Sequence, residues 1–325
     1  MATLDLDRDR ILQRVKQLLS SSGPLVGLFS LVLILFILSP FFLTVTNVFN
    51  IFQQVAVLSI LALGGTAVII TGGIDLSVGS VLALSGAVLG FTFERVGLPM
   101  PLAIISALAV GALVGLTNGV LITAGRLPPF IATLASLSAA HGLALVVTGG
   151  RPISGFPDWF RTFGTFDLFD IIPLSVIVVA LLYLAGWAYL RYRPSGRALF
   201  AIGGNEEVAR LSGLSVAREK MKVYTAAGVL SSIGGLLLAA QLNSVQPTSG
   251  TGAELDVIAT VVIGGASLSG GVGSVSGTLI GALIIGTLRN GLNLLDVSSF
   301  WQQVVIGVVI ALAVMIDTVR KPKDR

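Results

Sequence analysis

The basic residues of this chain are placed in a way that no water-soluble fold requires. Sixteen of the 20 lysines and arginines fall in four gaps between long apolar runs. The gaps are the head (Arg8, Arg10, Arg14, Lys16), Arg126, the stretch Arg191 to Lys222, and the tail (Arg320, Lys321, Lys323, Arg325). The stretch alone carries Arg191, Arg193, Arg197, Arg210, Arg218, Lys220 and Lys222. Basic residues in short loops are held on the cytoplasmic side during insertion, so all four gaps are expected on one face of a membrane.

The apolar runs lie at roughly 25–43, 51–71, 76–93, 101–123, 129–148, 171–190, 223–241, 255–268, 272–289 and 300–317. A helix needs about 20 residues to cross the hydrocarbon core. Most runs meet that length, and 255–268 is short. With both ends on one side the number of crossings is even. Six runs precede the long basic gap, four follow it, and Arg126 comes after the fourth. The expected fold is an all-α polytopic membrane protein of about ten transmembrane helices, some short or broken, with both termini cytoplasmic.

Composition agrees. Mean hydropathy is +0.95 and only 11% of residues are charged, leaving no ordinary soluble domain between the runs. The pI near 9.7 would suggest nucleic acid in a soluble chain, but here the basic excess reads as topology. The absence of cysteine excludes disulfides and thiolate metal sites. Residues 1–22 mix acids and bases (Asp5, Asp7, Arg8, Asp9, Arg10) without a cleavage pattern, which reads as an uncleaved cytoplasmic extension. Residues 321–325 read as a cytoplasmic tail.

Two segments interrupt the runs with glycine. One is Gly72-Gly73-Ile74-Asp75-Leu76-Ser77-Val78-Gly79-Ser80, and the other is Gly264-Gly265-Ala266-Ser267-Leu268-Ser269-Gly270-Gly271-Val272-Gly273-Ser274. Irregular backbone at membrane depth survives only where protein or a watery path covers it. The pair reads either as an internal duplication with broken helices near a transport path, or as two tight turns between packed helices. Asp75, with Ser77 two residues on, either caps the third helix or meets the solute. Gly273, Gly277, Gly281 and Gly286 form a small-residue face for intramolecular packing or for a subunit interface.

The basic stretch 191–222 is the extended polar segment inside the chain. Asn205 is a good N-cap, Glu206 and Glu207 suit a positive helix end, and Gly213 is able to stop a helix. A helix of about two turns is expected there. It is unstable alone, so either the protein's own helices or a cytoplasmic partner must dock it.

Catalytic chemistry is not legible. No Gly-x-x-x-x-Gly-Lys-Ser/Thr run is present, so the phosphate cradle of an ATPase is missing and the chain is not expected to be an enzyme. His141 has no second imidazole or thiol with which to share a metal, and reads as a packing histidine. No line of intramembrane acids suggests a proton relay. Energy for any pumping is expected from elsewhere. The polar residues in or beside the runs are mostly uncharged: Gln53, Gln54, Asn118, Thr133, Gln241, Asn243, Gln246, Asn290, Asn293, Gln302 and Gln303. Amides donate and accept, which suits a neutral polyhydroxyl solute and equally suits helix glue. Phe130 and Trp301 are able to stack on a sugar ring. Asp158, Asp167 and Asp170, with Glu254 and Asp256, read as exposed outer carboxylates for an external protein; Arg151 and Arg161 lie among the first three.

Five motifs together carry a family likeness. Gly73-Ile74-Asp75-Leu76-Ser77-Val78-Gly79-Ser80, Phe130-Ile131-Ala132-Thr133-Leu134, Gly203-Gly204-Asn205-Glu206, Gln246-Pro247-Thr248-Ser249-Gly250-Thr251-Gly252 and Gly264 to Gly271 resemble the permease subunits of bacterial monosaccharide ABC importers, the ribose type most of all. The likeness runs from about Leu38 to the C-terminus. It implies a permease domain over 23–320, a bacterial cytoplasmic (inner) membrane location, a second permease copy, and a periplasmic sugar-binding protein. It also implies a cytoplasmic ATPase with two nucleotide sites, which carries the ATP and Mg; no cofactor is expected in this chain. The helix with Asn205, Glu206, Glu207, Arg210 and Leu211 would couple to that ATPase. Gln53, Gln54, Asp75, Ser77, Asn118, Phe130, Thr133, Asn243, Gln246, Asn290 and Asn293 are the candidates for the path or the broken helices. An ion-gradient-driven secondary transporter and a passive channel are the alternatives.

Overall fold

A computed structural model describes residues 23–168 and 172–320. The head 1–22, the tail 321–325 and Asp170 lie outside the described residues, as does the side chain of Asp167. The helices are α1 (Gly23–Leu38), α2 (Val45–Ile70), α3 (Val78–Glu94), α4 (Met100–Thr123), α5 (Pro129–Thr148), α6 (Asp158–Thr165), α7 (Leu174–Tyr192), α8 (Pro194–Gly204), α9 (Glu206–Leu211), α10 (Val216–Leu242), α11 (Ala253–Ile263), α12 (Val275–Leu294) and α13 (Ser299–Arg320). Each apolar run of the sequence holds one of these helices. Six of them, α2, α4, α5, α7, α10 and α12, are long and apolar enough to cross a membrane, and α1, α3 and Ser299–Leu312 of α13 are shorter apolar helices. The chain is a mostly helical, polytopic membrane protein.

Helix ends follow local chemistry. Thr44 accepts from the Asn47 N–H to start α2, and Ser274 accepts from the Gly277 N–H at 3.0 Å to start α12. Pro129 stands in the first turn of α5, and Gly149 ends it in the left-handed conformation at φ 62°.

Helices α2 and α10 are the most buried of the long helices and α7 the least, so α2 and α10 form the centre. Helix α4 meets α10 along Gly111, Gly115 and Gly119, which face Gly228, the Tyr224–Thr225 backbone and Met221. Side chains at these glycines would collide with backbone, which is how small-xxx-small faces bring helices into contact. The stripe on α12 works the same way inside the chain: Gly277 and Gly281 pack on Gly264 and Thr260, and Gly286 packs on Val55 of α2.

Among the described residues, four two-residue strands are the exception to an all-helical chain. β1 (Ile153–Ser154) pairs antiparallel with β4 (Ser244–Val245), Ile153 opposite Val245, and β2 (Asp167–Leu168) pairs with β3 (Ile172–Pro173). The first pair ties the loop after α5 to the loop after α10.

Past β4 the chain packs along α3. A Cβ built at Gly90 of α3 would stand 2.9 Å from Val245, and one built at Gly250 would stand 2.6 Å from the carbonyl oxygen of Gly79 at the other end of α3. The segment 245–250 therefore runs alongside α3 over eleven residues, roughly 16 Å. Helix α11 then supplies only 11 residues, also roughly 16 Å, against a core of about 30 Å. Helix α11 is therefore about half the length of a crossing, and the segment 245–250 beside α3 precedes it.

Candidate functional site at the helix breaks and helix α9

The two glycine breaks meet each other. The Gly271 N–H donates to the Ile70 carbonyl at 2.9 Å, tying the second break to the end of α2. Gly72, Gly270 and Gly271 hold positive φ of 76°, 86° and 76°, conformations that side chains other than glycine's rarely adopt. A third glycine pair closes the junction. Gly203, at the end of α8, lies against Ile70 O and Gly271 N, and Gly271 lies against Gly204. Segments nearly 200 residues apart thus touch backbone to backbone where a single methyl group would not fit.

Helix α8 was not foreseen in the basic stretch 191–222, where only a short helix was expected. Pro194 starts it, and Leu199 and Ile202 bury its inner face. Glu219 of α10 accepts from Lys222 at 2.8 Å and, more weakly, from Ser195 at 3.4 Å, fixing the start of α8. Helix α9 follows as expected from Asn205, whose side chain accepts from the Val208 N–H at 3.0 Å. It is docked by its own chain, since Ala209 is buried among Ile202, Leu214 and Val216. Its other face stays open, with Val208 56% and Leu211 82% exposed beside Glu207.

Glu206 is not part of that open face. It accepts from Lys220 at 2.6 Å and from Arg210 at 3.0 Å, so it staples α9 to α10. The Lys220 ammonium, with Arg210 beside it, holds the Glu206 carboxyl below its ordinary value of 4.5.

The first break is wired into α4 and α5. Asp75 accepts from the Ser77 N–H at 2.8 Å and from its hydroxyl at 2.6 Å. Ser77 in turn accepts from Asn118 at 3.0 Å, and Asn118 accepts from Ser136 at 2.5 Å. Thr133 donates to the Ile74 carbonyl at 3.1 Å. All five side chains are buried. Asp75 therefore folds its own turn just ahead of α3, whose N-cap position belongs to Ser77.

The remaining path candidates do not gather with them. Asn290 and Asn47 exchange two hydrogen bonds of 2.9 Å and clamp α12 to α2. Gln53 donates to the Gly164 carbonyl at 3.2 Å, and Asn243 accepts from the Phe156 N–H at 3.1 Å. Asn293 accepts from Gln302 at 2.7 Å. Gln54, Gln246 and Phe130 are exposed. His141 is half-buried and has no hydrogen-bond partner among the described residues. No cluster fit for a metal occurs among the described residues.

The outer carboxylates differ from expectation. Asp158 is exposed and pairs with Arg161 at 3.2 Å, but Glu254 and Asp256 are not free surface acids. Glu254 lies against Gly79, and Asp256 accepts from Arg289 at 2.9 Å. The packing of Gly250 on Gly79 draws this part of the chain against α3. Arg289 was missed by the reading of the sequence, although a basic residue at the edge of an apolar run was the signal.

Residues 47–314 match the family described as branched-chain amino acid transport system / permease component. The ribose import permease protein RbsC of Bacillus subtilis (strain 168) is 50% identical over 297 residues, 91% of this chain and 92% of that protein. RbsC of Escherichia coli (strain K12) is 46% identical over 305 residues, 93% of this chain and 95% of that protein. The xylose transport system permease protein XylH of Haemophilus influenzae is 36% identical over 342 aligned positions, 87% of this chain and 91% of that protein. No solved structure matches significantly. The chain belongs to the permease-component family of the branched-chain amino acid transport system type.

Proposed function

We propose that this protein is the transmembrane permease subunit of an ATP-driven ABC importer that carries a monosaccharide, preferentially ribose, across the bacterial cytoplasmic membrane. The observation that carries the reading is the build of the cytoplasmic stretch: α9 offers Val208 and Leu211 outward, while α8 beneath it inserts Gly203 and Gly204 between the two helix breaks. A push on α9 reaches the broken helices through backbone contacts, which is what an external motor needs. The names of the curated relatives add the sugar, since RbsC imports ribose and XylH transports xylose.

In this reading ten helices cross, α11 with its re-entrant segment counting as one, and both termini lie in the cytoplasm. The permease domain covers 23–320, with the coupling stretch at 191–222. ATP and Mg belong to a cytoplasmic ATPase with two nucleotide sites, a periplasmic protein delivers the sugar, and a second permease copy completes the path. Asp75 is bound to Ser77 through one carboxylate oxygen, and no cluster of acids gathers around it among the described residues, which weighs against a secondary transporter.

The test is co-purification with the host ATPase, then uptake in liposomes with ribose-loaded binding protein. ATP-dependent ribose uptake supports the reading. Gradient-driven uptake by the chain alone, with no ATPase bound, overturns it.

A further inference from the structure

The outer half of the α11–α12 pair borders a cavity of about 660 Å³, distinct from the glycine junction and the cytoplasmic helix. Ligand sites are typically about 300–1,000 Å³. Thr251 of the re-entrant segment, Asp256 of α11, Arg289 of α12, and Ser299 and Gln303 of α13 line it, with Ile306 as an apolar wall.

Three observations bear on its content. Arg289 stands fourteen residues beyond Val275 in α12, roughly 21 Å along a helix that starts at the second break. That sets it five residues short of the helix end at Leu294 and at the edge of the apolar run 272–289, where a charged side chain faces protein or water. The side chain is 44% exposed, and its partner Asp256 is 19% exposed. The re-entrant backbone at Thr251 and Gly252 opens onto the same space, and such backbone occurs at depth only beside protein or water. Finally, Gln302 is bound to Asn293 and to the Val297 carbonyl, whereas Gln303 is exposed in the wall with no partner among the described residues.

We propose that this cavity is a binding site for the transported solute, a neutral polyhydroxylated ring. Asp256 accepts, Arg289 donates, and the Gln303 amide does both, which matches adjacent hydroxyls. The paired charges cancel, so the site favours a neutral sugar over a sugar acid or an amine. The inference rests on the monosaccharide-importer reading and gives that solute a place between two elements the sequence keeps 33 residues apart.

The test uses the full complex in liposomes, with its ATPase and saturating ribose-loaded binding protein. Two variants are compared with wild type: Gln303→Leu, and the reversed pair Asp256→Arg with Arg289→Asp. Gln303→Leu is expected to cut uptake roughly five- to tenfold, the effect of one lost neutral hydrogen bond, with thermal stability and ATPase co-purification retained. The reversed pair keeps an ion pair but exchanges donor and acceptor, so its uptake is expected to stay low. Full uptake by Gln303→Leu, or full recovery by the reversed pair, overturns the site and leaves an ion pair that only ties α11 to α12. A wild-type complex that imports no monosaccharide overturns the importer reading along with it.

Discussion

Gly203 and Ile70 touch through their backbones, the carbonyl oxygen of Ile70 lying where a Cβ at Gly203 would be. The same carbonyl accepts from Gly271, so one oxygen is shared by the end of α2, the second break and the end of α8. The junction has no slack.

Gly203→Ala is therefore expected to destabilise by about 1–3 kcal/mol, the usual range for overpacking. Gly204, whose added Cβ would meet nothing within 4 Å, is the control. Thermal melting of the detergent-solubilised proteins, compared between Gly203→Ala and Gly204→Ala, checks the difference. Equal stability of the two would show that the junction yields.

Leu211→Ser is expected to weaken ATPase association without unfolding the permease. Leu211 is 82% exposed, and surface changes of this kind usually stay within about 0.5 kcal/mol of neutral. An apolar side chain seated in a partner's cleft contributes about 2 kcal/mol when it is a hot spot, roughly thirtyfold in affinity. Co-purification and melting of the same sample separate the two effects.

Glu206 gives a pH signature. Its folded pKa is depressed, chiefly by Lys220, so the unfolded chain takes up the proton first as pH falls. The stabilisation is complete above the ordinary value of 4.5 and disappears as pH drops through the lower folded value. Glu206→Gln should flatten this part of the acid-side loss of melting temperature below about pH 5. An unchanged acid limb would show that the staple does not contribute. The variant Glu206→Lys would set two ammonium groups together at Lys220, so it tests the staple rather than the partner-facing surface.

The Asn47–Asn290 pair should behave as one unit. Buried hydrogen bonds between membrane helices are worth about 0.6–1.7 kcal/mol, and an orphaned amide adds a desolvation penalty. Each single change to leucine is expected to cost more than half of the double change. A double-mutant cycle on thermal stability measures this coupling. Simple additivity would rule out the reciprocal bonding.

Much of this was readable from local chemistry. The apolar runs located the helices because apolar length alone decides a crossing. Asn205 caps α9 and Gly213 follows its end at φ 86°, and the two glycine breaks stood out by composition. What escaped was tertiary. Helix α8 is the glycine-bearing sequence PSGRALFAIGG, whose place is fixed by Leu199 and Ile202 against other helices rather than by propensity. The division into runs and loops put Asp256 on an outer loop, although the chain had already turned back inward at Val245. Asn290 read as a path residue because nothing in the sequence pairs it with Asn47, 243 positions earlier.

The Gly111–Gly115–Gly119 face has a mechanical meaning. Helices α4 and α10 are keyed along three successive turns with backbone in the keyways, so neither slides without the other. They form a strut, and α9 is stapled to the N-terminal end of α10 through Glu206 and Lys220. Any rocking of the molecule must pivot this strut as one piece.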